Sequence, residues 1–397
     1  MAKIKSIHGR EILDSRADST IEVDVILDDG SLGRASIPSG ASTGRNEAFK
    51  ITDIAKALNN VDVLAKNLIG QEASDQEKID LLMINSDGTP NKENLGGNVI
   101  LALSLAICQA SAISAKKPLY QYIREVSKID IEGYKMPIPL FNIINGGKHA
   151  DSNLPFQEFM VIPTADGSFK EMLMMGAKVY HQLKKDLAKL NLSTAVGDEG
   201  GFAPKLNSND EAMELLVASI QNAGFIPREQ ISIGLDVAAS SIADLNSVTY
   251  PDKPAEYYAK IVEKYPIALI EDPLGEDDWQ GWIELNQKIG SKIKLVGDDI
   301  FTTNPARIQQ GIEKKAANSI IIKPDQIGTL TEAFRTIHLA LDAGFDIVVS
   351  HRSGETESTF IADLAVGVGA QYIKTGAPAR GERTAKYNQL LRIEEGL

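Results

Sequence analysis

A chain of 397 residues with 54 acidic against 41 basic side chains carries a formal net charge of −13, and so lacks the basic footprint that nucleic-acid binding requires. Its 43% hydrophobic and 24% charged content is that of a soluble globular protein. The length exceeds one ordinary core, so two domains are expected.

The opening stretch, MAKIKSIHGREILDS, holds no apolar run long enough for a secretory signal. The single cysteine, Cys108, excludes an internal disulfide, and both features fit a reducing cytoplasm. Residues 1–37 are expected to form antiparallel strands: TIEVDVIL alternates apolar and polar residues, and Asp29-Gly30 turns the chain into SLGRASI. PSGASTG (Pro38–Gly44) is too rich in Gly and Ser for regular structure and reads on composition as a surface turn. Helical patterns follow at about 53–68, 75–85, 95–115 and 118–127, which makes this half an α+β domain. The most apolar stretch, Asn98–Ala115, is interrupted by Ser104, Gln109 and Ser111, and is expected as a buried core helix rather than a membrane span. The polar segment near Ser127–Lys135 sets the predicted boundary between a domain of residues 1–130 and one of residues 131–397.

The second domain opens with two apolar runs, IPLFNII and QEFMVI, with no helix between them, then two helical stretches at about 168–190 and 209–223. From Ile231 to Pro378 one pattern repeats six times: a β-branched run, a polar or charged residue, a helical segment. The runs end on Asp236, Glu271, Asp298, Lys323, His351-Arg352 and Lys374. Runs so apolar suit strands buried on both faces of a helix-wrapped parallel sheet, at close to the roughly 30 residues per unit of an eightfold barrel. The expected fold class is α/β: an N-terminal α+β domain, then an irregular eight-stranded β/α barrel of pattern ββαα(βα)6. Chemistry in such barrels gathers at the C-terminal strand ends. Three carboxylates and three cationic positions would converge there, a metal site facing an anion site.

Asp236, Glu271 and Asp298 are hard oxygen ligands; without Cys and with few His they suit Mg2+ rather than Zn2+. A single acidic residue after a strand is ordinarily a helix N-cap, but three on consecutive strands followed by a lysine form a different pattern. Lys323 is open to three readings: a rim lysine, a base whose ammonium is destabilised beside a divalent cation, or a Schiff-base lysine. In SHRSGETE, His351, Arg352 and Ser353 stand in a row, with Lys374 one strand later. A forked guanidinium, a hydroxyl and nearby amides suit a phosphate-sized anion; a surface salt-bridge cluster is the alternative.

GDEGG (Gly197–Gly201), LIEDP, GDD, KPDQIGT, SHRSGETE, IKTGAPAR and SGAST resemble the enolase family, and the likeness runs from DSR to LLRIEEGL, nearly the whole chain. The resemblance implies a cytoplasmic, Mg2+-dependent hydro-lyase that reversibly dehydrates 2-phosphoglycerate to phosphoenolpyruvate in glycolysis and gluconeogenesis. It makes Asp236, Glu271 and Asp298 the ligands of a first Mg2+, Lys323 the base, and Glu199 the acid acting with Glu158. His149, Gln157, His351, Arg352, Ser353 and Lys374 would contact substrate, with Glu271 and Asp298 facing it. Ser39 would belong to a closing loop that helps hold a second Mg2+ arriving with substrate. A Lys or His base beside Mg2+ is the general pattern of the enolase superfamily and no deduction from this sequence. The resemblance further implies a homodimer in which Arg16 and Glu22 of one subunit meet Glu395 and Arg392 of the other.

The chain departs from the family pattern in DSRADST for DSRGNPT, Lys148 beside His149, Gly97 for Ala, a short segment after DVAAS and the lack of the usual C-terminal extension. None removes a catalytic residue; they bear on loop closure near Asp236 and on stability. Two rivals are another carboxylate-proton-abstracting superfamily member and a catalytically silent structural or surface-binding relative. SHRSG and SGAST weigh against the first, and intact Glu199, Lys323 and His149 against the second.

Overall fold

Strict alternation buries one face of the first strands. The computed structural model describes residues 2–40, 44–150, 152–242 and 253–397. Strands β1 (Ile4–Leu13), β2 (Ser19–Leu27) and β3 (Leu32–Ser36) form an antiparallel sheet in chain order. Ile21, Val23, Val25 and Leu27 of the central strand are buried against helices α1 (Ile54–Leu68), α2 (Gln76–Asp87), α3 (Gly97–Ser114) and α4 (Leu119–Ser127). Asp53 and Asp75 start α1 and α2 by accepting the backbone amides of Lys56 and Lys78, which satisfies donors that a helix leaves open. Helix α3 is long and apolar enough to cross a membrane, yet 83% of it is buried inside the protein. At Gly33 a Cβ would lie 1.9 Å from the Ala106 carbonyl oxygen, so β3 and α3 meet backbone against backbone.

The barrel strands are β4 (Ile138–Asn145) and β5 (Glu158–Pro163), separated by a single helical turn, Gly147–His149. Helices α5 (Phe169–Lys189) and α6 (Asn209–Asn222) follow, then β6 (Ile231–Asp236), the short α7 (Ala239–Ile242) and α8 (Pro254–Lys264). The repeat continues through β7 (Ile267–Glu271), α9 (Trp279–Ile289), β8 (Lys294–Gly297), α10 (Pro305–Lys314) and β9 (Ser319–Ile322). It closes with the short α11 (Pro324–Ile327), α12 (Leu330–Asp342), β10 (Asp346–Ser350), α13 (Phe360–Val368), β11 (Tyr372–Lys374) and α14 (Gly381–Glu394). Strands β4 to β11 close in order. Leu140, Met160, Ile162, Leu269, Val296, Ile321 and Val348 fill the interior, so the barrel is a packed core.

One strand runs backwards. Strand β5 pairs antiparallel with both β4 and β6, while every other neighbouring pair is parallel. With no crossover helix after β4 the chain can return only antiparallel. The start of β5 therefore stands among the C-terminal ends of the other strands, with Glu158 in register with Asp236. The two domains are tied beside this rim. Asp80 of α2 accepts the Thr331 amide at 2.9 Å and hydroxyl at 2.6 Å, and buried Lys92 pairs with Glu332 at 3.0 Å.

Candidate active site

The last barrel strand ends in a lysine that gathers three carboxylates. Lys374 Nζ lies 2.7 Å from Glu271, 3.2 Å from Asp236 and 3.2 Å from Glu158. Burial opposes its charge, but Glu158, Glu271 and Asp236 hold the ammonium well above its ordinary pKa. Burial, then neighbouring Asp236, pushes the Glu271 carboxyl up to about 8, and Glu271 Oε1 is buried without a hydrogen-bond partner. An orphaned carboxylate oxygen among hard donors fits a divalent cation held by Asp236, Glu271 and Asp298.

Asp298 is paired instead with Lys323 Nζ and accepts Gln326 Nε2 at 2.9 Å. Burial disfavours both charges, but their pairing wins: the Asp298 carboxyl is held below its usual range and the Lys323 ammonium above its own. Lys323 is buried, which rules out a solvated rim lysine. Asp272, which sequence reasoning did not single out, accepts the amides of Asp298 at 2.9 Å and Asp299 at 2.8 Å, and so fixes the chain that carries Asp298. Among the described residues, two acidic or His groups bring ligand atoms within 4.8 Å of one another: His149, Glu158 and Glu199, and Asp272, Asp298 and Asp299. The predicted triad is spread around the two lysines rather than closed to that distance.

The GDEGG turn delivers Glu199 to the same cavity. Gly197 has no room for a side chain, since a Cβ would lie 2.5 Å from the His149 carbonyl oxygen. Glu199 Oε2 accepts Asn142 Nδ2 at 2.8 Å and lies 3.4 Å from His351 Nε2. His149 Nδ1 stands between the carboxylates, 3.5 Å from Glu199 and 3.8 Å from Glu158. Burial works against both carboxylates. For Glu199 the histidines outweigh it and hold the carboxyl well below its usual range; Glu158, repelled by Glu199, rises well above it.

On the anion side His351, Arg352 and Ser353 are buried, so they are no surface cluster. The Arg352 guanidinium pairs with Asp325 at 2.8 Å and with Glu47 of the N-terminal domain at 3.2 Å. Burial pushes Asp325 up to about 6. One cavity is lined by His149, Gln157, Glu158, Glu199, Asp236, Asp298, Lys323, His351, Arg352, Ser353 and Lys374. Every residue expected from the sequence lines it except Glu271, which bonds Lys374, and Ser39.

Ser39 stands apart from the strand-end carboxylates in this structure. Its hydroxyl donates to Asp14 at 2.6 Å and accepts Arg16 Nη2 at 3.0 Å, and its amide and carbonyl bond Gly354 at 2.7 and 2.8 Å. Its oxygen is thus engaged by Asp14 and Arg16 at the base of the loop. Residues 41–43 of SGAST, which carry the other hydroxyls, lie outside the described residues, as do residues 243–252 after the short DVAAS segment. Arg16 turns inward to Ser39, and Glu22 accepts Arg10 at 2.5 Å and Ser36 at 2.9 Å. Both are engaged within their own subunit, whereas Arg392 and Glu395 are exposed. Sequence reasoning also passed over Asn142 and Arg383; a polar residue inside the apolar run IPLFNII was the available signal for the first.

Residues 4–123 match the family model described as the enolase N-terminal domain, and residues 133–397 match that of the enolase C-terminal TIM barrel domain. An enolase of Elusimicrobium minutum (strain Pei191) is 50% identical over 412 residues, spanning 100% of this chain and 97% of the relative. With both domains matched in order, and the strand-end carboxylates and lysines gathered in one cavity, the chain belongs to the enolase family.

Proposed function

We propose that this protein reversibly dehydrates 2-phosphoglycerate to phosphoenolpyruvate, with Lys323 as base and Glu199 as acid. The observation that carries this reading is one cavity lined by Lys323, by the Glu158, His149 and Glu199 group, and by Arg352 and Lys374. A Mg2+ ion held by Asp236, Glu271 and Asp298 would supply positive charge where the substrate carboxylate becomes a dianion. Lys323 can take the proton beside that carboxylate only as the neutral amine, and drawing Asp298 away from it removes what now holds it charged. Lys374 faces the developing negative charge. Hydroxide leaves poorly, so a proton must reach it as the carbon–oxygen bond breaks; Glu158, the more easily protonated of the two carboxyls, and Glu199 flank His149. Arg352 offers a forked donor to the phosphate, in competition with Glu47 and Asp325.

A second Mg2+ arriving with substrate, a cytoplasmic location and a homodimer belong to the same proposal, supported by family membership. The test is absorbance of phosphoenolpyruvate formed from 2-phosphoglycerate, with and without Mg2+. A rise that needs the metal is expected; no rise in its presence overturns the reading.

A further inference from the structure

We propose that Arg383 is a positioning residue for this reaction, fixing His351 as a neutral ring with its proton on Nε2 toward Glu199. Arg383 lies in the first turn of α14 and is fully buried. Its Nη1 contacts His351 Nδ1 at 2.7 Å and donates to the Arg352 carbonyl at 2.7 Å. Its Nη2 donates to the carbonyls of Ser353 at 2.5 Å and Asp198 at 3.1 Å. One side chain thus ties the anion-binding row to the residue before Glu199.

A guanidinium has donors only and keeps its charge. His351 Nδ1 must therefore accept, and the one proton of the neutral ring falls on Nε2, 3.4 Å from Glu199 Oε2. A second proton on Nδ1 would set N–H against N–H. The consequence is chemical. A neutral Nε2–H faces the Glu199 carboxyl at 3.4 Å, whereas an imidazolium would set a full positive charge beside it and oppose its carrying a proton. The charged groups facing His351 are Glu199, Glu355, which is paired with Lys386 at 2.7 Å, and Arg383 itself. Burial is the largest influence and brings the ring down to about 4.

This inference rests on the reading of Glu199 as the acid, and the experiment separates the two. In the full-length protein labelled with 15N-histidine, long-range proton–nitrogen spectra report the tautomer of each ring, and His351→Gln assigns the signals of this one. A His351 ring protonated only on Nε2 from pH 8 to roughly 5 is expected; an Nδ1–H tautomer, or titration near the ordinary value of about 6.5, overturns the proposal. Arg383→Met should lower kcat roughly 10- to 100-fold with a smaller change in KM, and move the acid side of the kcat profile to higher pH than in the parent, since the cation beside Nδ1 is gone while the burial remains. In a His351→Gln background, whose amide donates without a tautomer choice, the same substitution should cost only a fewfold. A variant profile parallel to the parent's would leave Arg383 a mere strut and overturns the proposal. If Arg383→Met does not fold, the parent spectrum decides. An inactive parent with the expected tautomer removes the reading of Glu199, and the positioning role with it, while the ring geometry stands.

Discussion

Asp236 ends β6 with Oδ1 accepting the Ala238 amide at 3.0 Å and Oδ2 3.2 Å from Lys374. Asp298 follows directly on β8 and stands against Lys323. Neither lysine depends on one carboxylate alone for the fold: Lys374 keeps Glu271 and Glu158 when Asp236 is removed. Asp236→Ala and Asp298→Ala should each lower turnover on the order of a thousandfold with an unchanged circular dichroism spectrum. Retained Mg2+-dependent turnover in both would remove the metal assignment. These residues were legible because each closes an apolar run. Glu158 was placed only by family resemblance, since its role follows from the reversed direction of β5, which the connection decides and the side chains do not. Ser39 too was placed only by family resemblance, and no feature of SGAST foretold that its hydroxyl would bond Asp14.

Helix and strand limits were readable within a few residues, because periodicity and the Asp53, Asp75 and Ser168 caps mark them. Close approaches between elements were not. Gly33 falls in an ordinary alternating strand, yet any side chain there collides with the α3 backbone. Gly33→Ala should destabilise by roughly 1–3 kcal/mol, read as a lower urea midpoint; an unchanged or higher midpoint contradicts the contact. Asp80 joins α2 to α12 from a fully buried position, and burial pushes its carboxyl from 3.8 to about 6. The folded chain therefore keeps a proton that the unfolded chain releases. Stability from this group is full below about pH 4 and is lost as pH rises through 6. Asp80→Ala has no such proton, so its penalty relative to the parent should shrink by roughly 2–3 kcal/mol between pH 4 and 7. A pH-independent penalty in urea unfolding would show that Asp80 titrates normally.

The site belongs to the whole molecule. Strand ends of the barrel supply the carboxylates and lysines, while the N-terminal domain supplies Glu47 to Arg352 and the Ser39 bridge to Gly354. These contacts join residues about 300 positions apart, which is why composition and periodicity could propose the barrel rim yet say nothing of Glu47, Asp325 or Arg383. The proposed homodimer should sediment as a dimer at micromolar concentration, and charge reversal at exposed Arg392 should weaken it without abolishing it, since exposed ion pairs contribute about 0–1 kcal/mol. A monomer at that concentration contradicts the assembly. The division of labour between Lys323 as base and Glu199 as acid is tested most directly by exchange of the substrate α-proton with deuterated solvent. Glu199→Gln should block formation of phosphoenolpyruvate yet leave that exchange measurable, and Lys323→Ala should stop it. Exchange at the parent rate in Lys323→Ala would contradict the account.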